Sequence, residues 1–202
     1  MLKKIKAFTL AEVMVVLAVM GILAAIMLPT IAGIRPNKNK AMFKKAYYIA
    51  ERLVFEMVND ESLYPTKSDT VGLDNTDTAD LYDETFDGTS KFCKLFARKV
   101  NTTSATINCV ANRAVPTDAG PSFTTSDGID WYMPITSFRN DAVIYVDVNG
   151  REKGPNRQYD ANTCKRPDIF QIKVKKDGKM YVDGTIESKY LGSNDNLQDQ
   201  DN

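Results

Sequence analysis

Histidine is absent from the 202-residue sequence, and this absence narrows the chemistry available to the chain. Histidine is the commonest general base near neutral pH, and it completes Ser-His and Cys-His nucleophile pairs and many zinc sites. An excess of charge of one sign is also lacking, because 26 basic residues balance 26 acidic ones. The chain therefore has no net positive charge that would attract nucleic acid, and we expect no nucleic-acid partner. Because histidine is missing, we also expect that the protein is not an enzyme.

Cysteine is scarce. The chain has three, Cys93, Cys109 and Cys164, without the Cys-x-x-Cys spacing of metal and redox motifs. In an oxidising compartment a disulfide is favoured over a metal site. Three cysteines allow three pairings, and we favour Cys93 with Cys109 because these two are nearest in sequence.

A long apolar run lies near the N-terminus. The 22 residues from Val13 to Ile34 include no charged side chain, which is enough for a helix to cross a hydrocarbon core of about 30 Å. Lys3, Lys4 and Lys6 precede the run and favour a cytoplasmic N-terminus. Glu12 stands at the start of the run, where a carboxylate is costly unless it is solvated at the headgroups or gains a partner.

The stretch KKIKAFTLAEVMVVLAVMG resembles the N-terminal signal of type IV pilins and of the pseudopilins of type II secretion. A basic leader, Phe-Thr-Leu, a glutamate and an apolar run with Gly21 and Pro29 occur together. The resemblance implies peptidase cleavage between Ala7 and Phe8, methylation of the new terminus, and pairing of Glu12 with the Phe8 amine of a neighbouring subunit. Ala7 departs from the glycine that usually precedes the cut.

The resemblance also implies a function without catalysis. The protein would be a structural subunit, held in the inner membrane by a single pass with its head extracytoplasmic, and then polymerised into a type IV pilus or a type II secretion pseudopilus. The implied partners are copies of itself, other pilins or pseudopilins, the prepilin peptidase, the inner-membrane assembly platform and membrane lipid. The alternative is a membrane-anchored extracytoplasmic binding module whose helix is only a tether.

We expect an α+β fold, in which a long hydrophobic N-terminal helix packs on an antiparallel β-sheet head. The helix has an apolar half and an amphipathic half, in which apolar residues recur at three- and four-residue steps. The predicted segments are a leader at 1–7, the helix at 8–60 with halves 8–35 and 36–60, the head at 61–187 and a flexible tail at 188–202.

The head begins with a predicted helix over 88–100 and continues with strands. Asp177-Gly178 predicts a tight hairpin between the last two strands. Branched and aromatic residues place five candidate strands at 105–111, 129–133, 142–148, 169–175 and 179–186.

Two segments of the chain have opposite charge. Arg35–Lys45 contains five basic residues and no acid, whereas Asp60–Asp87 contains nine acidic residues and one lysine. The second segment is typical of a long irregular connection. Such segments are usually just solvated; the alternative is that the two segments meet between subunits, which would make assembly sensitive to salt.

An Asp- and Asn-rich loop follows the third candidate strand and resembles the loop in which major pseudopilins hold calcium. The resemblance implies oxygen ligands from Asp147, Asn149, Asn156 and Asp168, and calcium takes about six to eight oxygens. The alternative is an ordinary hairpin loop that begins with an Asn149-Gly150 turn.

Overall fold

The computed structural model describes residues 9–33, 37–66, 72–109 and 120–192, and for residues 26–33 it describes the backbone alone. The chain divides into two compact units, which we describe separately. The first contains helix α1, Leu10–Gly33. In the described ranges, no helix combines the length and the apolar character required of a membrane span.

Helix α2, Lys38–Val58, lies in the second unit, Asn39–Asp195, except for its first residue. Its apolar residues recur every three or four positions, and the stripe that this spacing creates is buried. The helix predicted over 8–60 is described as two helices, and residues 34–36 between them lie outside the described ranges. The buried stripe consists of Phe43, Ala46, Tyr47, Ala50, Leu53, Val54 and Met57.

The acidic segment contains regular structure that the sequence analysis did not predict. Strands β1, Ala79–Leu81, and β2, Glu84–Phe86, form an antiparallel hairpin. Tyr82 and Asp83 make its turn, with φ of 53° and 61°. An irregular connection was therefore the wrong prediction for this part, because Tyr-Asp is not a usual turn sequence.

Helix α3, Lys91–Lys99, lies within the helix predicted over 88–100. A five-stranded antiparallel sheet follows, with its strands in chain order. Its strands are β3, Phe123–Thr124; β4, Asp130–Tyr132; β5, Ala142–Asp147; β6, Ile169–Val174; and β7, Met180–Tyr181.

The helices pack on the sheet through aromatic rings. Phe43 of α2 stacks on Phe170 of β6 with ring centroids 4.5 Å apart. Phe96 of α3 packs on Trp131 of β4 at 5.2 Å. These contacts bury one face of the sheet under helices, as the α+β architecture predicts.

Two predictions for the head are wrong. Residues 105–109 form no strand, and residues 110–111 lie outside the described ranges. The last predicted strand ends early, and the chain turns into helix α4, Thr185–Gly192. Tyr190 of α4 packs on Phe170, with ring centroids 5.7 Å apart, so residues 188–192 are helical where a flexible tail was predicted. Residues 193–202 lie outside the described ranges.

Candidate functional site

The first turn of α1 is closed by its own side chains. The Thr9 backbone N–H and the Thr9 hydroxyl both donate to Glu12 Oε2, at 2.9 and 2.8 Å, and the Glu12 N–H donates to Thr9 Oγ1 at 3.3 Å. This reciprocal arrangement is a capping box, which satisfies backbone donors that a helix leaves unpaired at its start. Glu12 therefore has a partner within its own helix. The Thr-x-x-Glu spacing in the sequence is typical of a capping box and could have predicted this arrangement.

The predicted cleavage bond between Ala7 and Phe8 lies outside the described ranges. Thr9, the next residue, is exposed, as is Glu12. The structure thus places the glutamate at the start of a helix, and it leaves the predicted processing and pairing as predictions.

Three aspartates meet at one end of the sheet. The antiparallel register pairs Asp130 of β4 with Asp147 of β5, and Asp147 with Ile169 of β6. Asp168 directly precedes Ile169. All three carboxylates are buried. Asp130 was not predicted as a site residue, because only the pairing of β4 with β5 brings it to this position.

Backbone N–H groups of the β5–β6 loop, residues 148–168, close over two of these carboxylates. Asp147 Oδ1 accepts hydrogen bonds from Asn149 N–H at 3.2 Å and Gly150 N–H at 3.0 Å. Asp130 Oδ2 accepts one from Arg151 N–H at 3.0 Å. The loop is therefore folded around the carboxylates as it leaves β5.

Asp168 holds the middle of the same loop. Its Oδ2 accepts from Asn156 N–H and its Oδ1 from Arg157 N–H, both at 2.9 Å. The Asn156 side-chain amide in turn donates to the Arg151 carbonyl at 2.7 Å. Asp168 therefore places Asn156 beside the start of the loop, and each of its own oxygens already accepts one hydrogen bond.

Three buried oxygens of the β5–β6 loop and of Asp147, which precedes it, have no hydrogen-bond partner among the described residues: Asp147 Oδ2, Asn149 Oδ1 and Asn156 Oδ1. Burial raises the pKa of Asp147 to about 7, and the carboxylates of Asp168 and Asp130 add to the rise. Buried acceptors without donors are uncommon. Oxygens of this kind are the ligands that a hard cation takes.

The donor set discriminates between metals. The described ranges contain no cluster of three or more His, Cys, Asp or Glu side chains that could hold a metal ion. Zinc and calcium sites both use such side chains, zinc above all Cys and His and calcium above all Asp and Glu. Calcium also accepts amide and backbone carbonyl oxygens, so the two asparagines fit calcium better than zinc.

Cys93 and Cys109 form a disulfide with a Cα–Cα distance of 5.8 Å. Cys93 is on α3, and Cys109 is in the segment without helix or strand that follows it. The structure thus joins the pair that the sequence analysis favoured. Cys164 is a free thiol and is buried.

The basic segment is only partly available to another subunit. Lys45 forms an ion pair with Asp127 of the same head at 2.8 Å, and Lys40 is buried. Lys38 is exposed, and Arg35 lies outside the described ranges. The predicted contact between the two charged segments stays a prediction for this part of the chain.

Residues 2–28 match the family model of the prokaryotic N-terminal methylation motif. No curated protein and no solved structure matches the chain significantly. The matched residues include the capping box of Thr9 and Glu12 as well as Ala7 and Phe8, but not the sheet or the aspartate loop. The chain therefore carries the prepilin signal of type IV pilins and pseudopilins.

Proposed function

We propose that the protein is a structural subunit of a type IV pilus or a type II secretion pseudopilus, and not an enzyme. The match of residues 2–28 to the methylation motif carries this proposal. In this role the prepilin peptidase cuts between Ala7 and Phe8. The mature chain is first held in the inner membrane by its N-terminal helix, with its head extracytoplasmic, and then enters a filament.

The capping box suits Glu12 to a second interaction during assembly. An ionised carboxylate has about four acceptor positions on two oxygens, and the bonds from Thr9 are to Oε2. The side chain is already fixed at the start of the helix, so less side-chain freedom is lost when a partner arrives. The Phe8 amine of another copy, which is a cation, would give the carboxylate that partner.

The native protein, purified from cells, tests this proposal. We expect an intact mass that begins at methylated Phe8, and sedimentation of the protein as filaments. A mass that retains residues 1–7 contradicts processing. A correctly processed chain that never sediments favours the tethered binding module instead.

We further propose that the β5–β6 loop binds calcium. The three unpartnered oxygens of Asp147, Asn149 and Asn156 carry this proposal. Asp168 was predicted as a ligand from the resemblance. Its two hydrogen bonds to the loop backbone give it a positioning role, and its charge adds to the attraction for a cation.

Thermal melting of the full chain in detergent tests the calcium proposal. We expect a higher melting temperature in millimolar calcium than in chelator, because a ligand that binds only the folded state stabilises it. Magnesium is the matched control, since it demands near-octahedral geometry and keeps its water. Equal melting temperatures in calcium and chelator would leave the loop as an ordinary Asn149-Gly150 turn.

A further inference from the structure

The turn of the β1–β2 hairpin holds an aromatic ring out in solvent. Tyr82 is 68% exposed, and its φ of 53° is in the left-handed region, as is the φ of 61° at Asp83. Turns with positive φ at both central positions favour Asn-Gly, and a bulky residue there is strained. The stability of the hairpin alone therefore does not explain a tyrosine at this position.

Acidic side chains surround this ring. Asp80, Asp83 and Glu84 are all exposed. Glu84 forms a bidentate ion pair with Arg98 of α3, which fixes the hairpin to the end of that helix. We call Asp80, Tyr82 and Asp83 the acidic tip.

A groove of about 350 Å³ lies between α2 and the turn that joins β3 to β4. It has an apolar wall and a rim that contains more cations than anions. We call it the basic groove. The wall is formed by Ile49, Leu53, Val100 and Trp131, and the charged side chains are Lys45, Arg52, Lys99 and Asp127.

The cations of the basic groove differ in whether they already form an ion pair with an acidic side chain. Lys45 is paired with Asp127. Arg52 is 3.6 Å from Glu56 in an exposed pair, and such pairs contribute little. Lys99 has no ion-pair partner within the described ranges. An incoming carboxylate would therefore meet Lys99 and Arg52 first.

We propose that the acidic tip of one copy docks into the basic groove of the next, with the Tyr82 ring against the apolar wall. The contact rests on the proposed filament function. Opposite charges select the register, and a buried tyrosine beside an arginine is a typical energetic centre of an interface. Because tip and groove are different surfaces, each bound pair leaves a free tip at one end and a free groove at the other, so the contact propagates.

Disulfide trapping in filaments of the full chain tests the contact directly. We expect Asp83→Cys, which keeps the Tyr82 ring, combined with Asn101→Cys at the groove to give a ladder of cross-linked multimers, while each single variant stops at a dimer. The matched control is Tyr159→Cys with Asn101→Cys, because Tyr159 is also exposed, at 40%. This control pair should give no ladder.

A second variant separates the contact from folding. Tyr82→Asn relaxes the turn, since asparagine tolerates positive φ, so the melting temperature should not fall. The concentration needed for assembly should nevertheless rise about 30-fold, as for the loss of a central interface aromatic. Tyr159→Asn is the control and should not change assembly.

The outcomes distinguish this contact from the proposed function. Filaments that sediment normally but give no ladder, and that tolerate Tyr82→Asn, overturn the contact and leave the filament function in place. A chain that neither sediments nor cross-links overturns both. A ladder among chains that do not sediment supports the contact and overturns the filament function. If polyglutamate protects Lys99 from amine-reactive reagent while no ladder forms, the groove binds acidic peptides and the proposal is wrong.

Discussion

Thr9 and Glu12 hold each other at the first turn of α1, with the Thr9 N–H 2.9 Å from Glu12 Oε2 and the Glu12 N–H 3.3 Å from Thr9 Oγ1. The glutamate therefore caps the start of its own helix, which is a role that it would have in any anchored helix. A carboxylate at this position therefore does not by itself distinguish a filament subunit from a tether, and the substitution that tests its role has to separate charge from capping.

Glu12→Gln makes that separation, because glutamine also closes a capping box but carries no charge. We expect it to be processed normally and to assemble as poorly as Glu12→Ala. Thr9→Ala keeps the charge and loses the cap, at a cost of about 1 kcal/mol, and should still assemble. Intact mass reports processing and sedimentation reports assembly. Normal filaments from Glu12→Gln would show that the charge is not needed.

The calcium proposal predicts that Asp147→Asn shifts the melting temperature in opposite directions with and without calcium. In chelator, Asp147→Asn should melt higher than wild type, because it removes a buried negative charge beside Asp130 and Asp168. In millimolar calcium the order should reverse, because the variant loses a charged ligand. Shifts of a few degrees, on the order of 1–3 kcal/mol, are expected.

The control for this experiment lies in the same loop. The Glu152 side chain is 88% exposed, so Glu152→Gln should leave both melting curves unchanged. If Asp147→Asn is destabilising in chelator and in calcium alike, Asp147 serves as a purely structural hydrogen-bond acceptor.

The Cys93–Cys109 disulfide should stabilise the head by about 3 kcal/mol, the value that chain entropy gives for a loop of this size. Reductant should lower the melting temperature of the wild type and of Cys164→Ala, because Cys164 is a free thiol. Cys109→Ala should melt low with or without reductant. A reductant effect that persists in Cys109→Ala would mean that another pair forms.

The ion pair between Lys45 and Asp127 predicts a pH dependence. Burial alone would raise the pKa of Asp127, but hydrogen bonds from Lys45 and Thr125 outweigh it and hold the pKa below its ordinary 3.8. A lowered pKa means that the stabilisation is present above about pH 4 and is lost as the pH falls through the folded-state value. The wild type should exceed Lys45→Gln in free energy of unfolding by at most about 1 kcal/mol at pH 7, and this difference should shrink as the pH falls below 3.8.

The local sequence pattern predicted the helices and strands correctly where the residues that it marks as apolar are also the residues that pack in the core. The apolar positions spaced from Phe43 to Met57 are buried on α2, and a high content of branched and aromatic residues marks β5 and β6. It failed where a distant contact decides the local structure. Residues 179–186 have the branched and aromatic residues of a strand, yet α4 begins at Thr185 because Ile186 and Tyr190 are buried together on one face.

The candidate site was predictable to the same extent. Asp147, Asn149, Asn156 and Asp168 stand out in the sequence, since they are close together along one loop. Asp130 could not be assigned, because its place beside Asp147 depends on the β4–β5 register. Which oxygens lack a hydrogen bond also depends on the loop backbone, and no residue pattern encodes that.

Asp147 and Ile169 face each other across β5 and β6, so the loop between them leaves and re-enters the sheet at one point. Lengthening such a loop does not shift the strand register, and each doubling of its length costs only about 0.6 kcal/mol of closure entropy. Lys165 is exposed, far along the loop from Asp147. We expect a foreign peptide inserted after Lys165 to extend the loop into solvent without changing the register of β5 and β6, so this position suits the display of engineered epitopes.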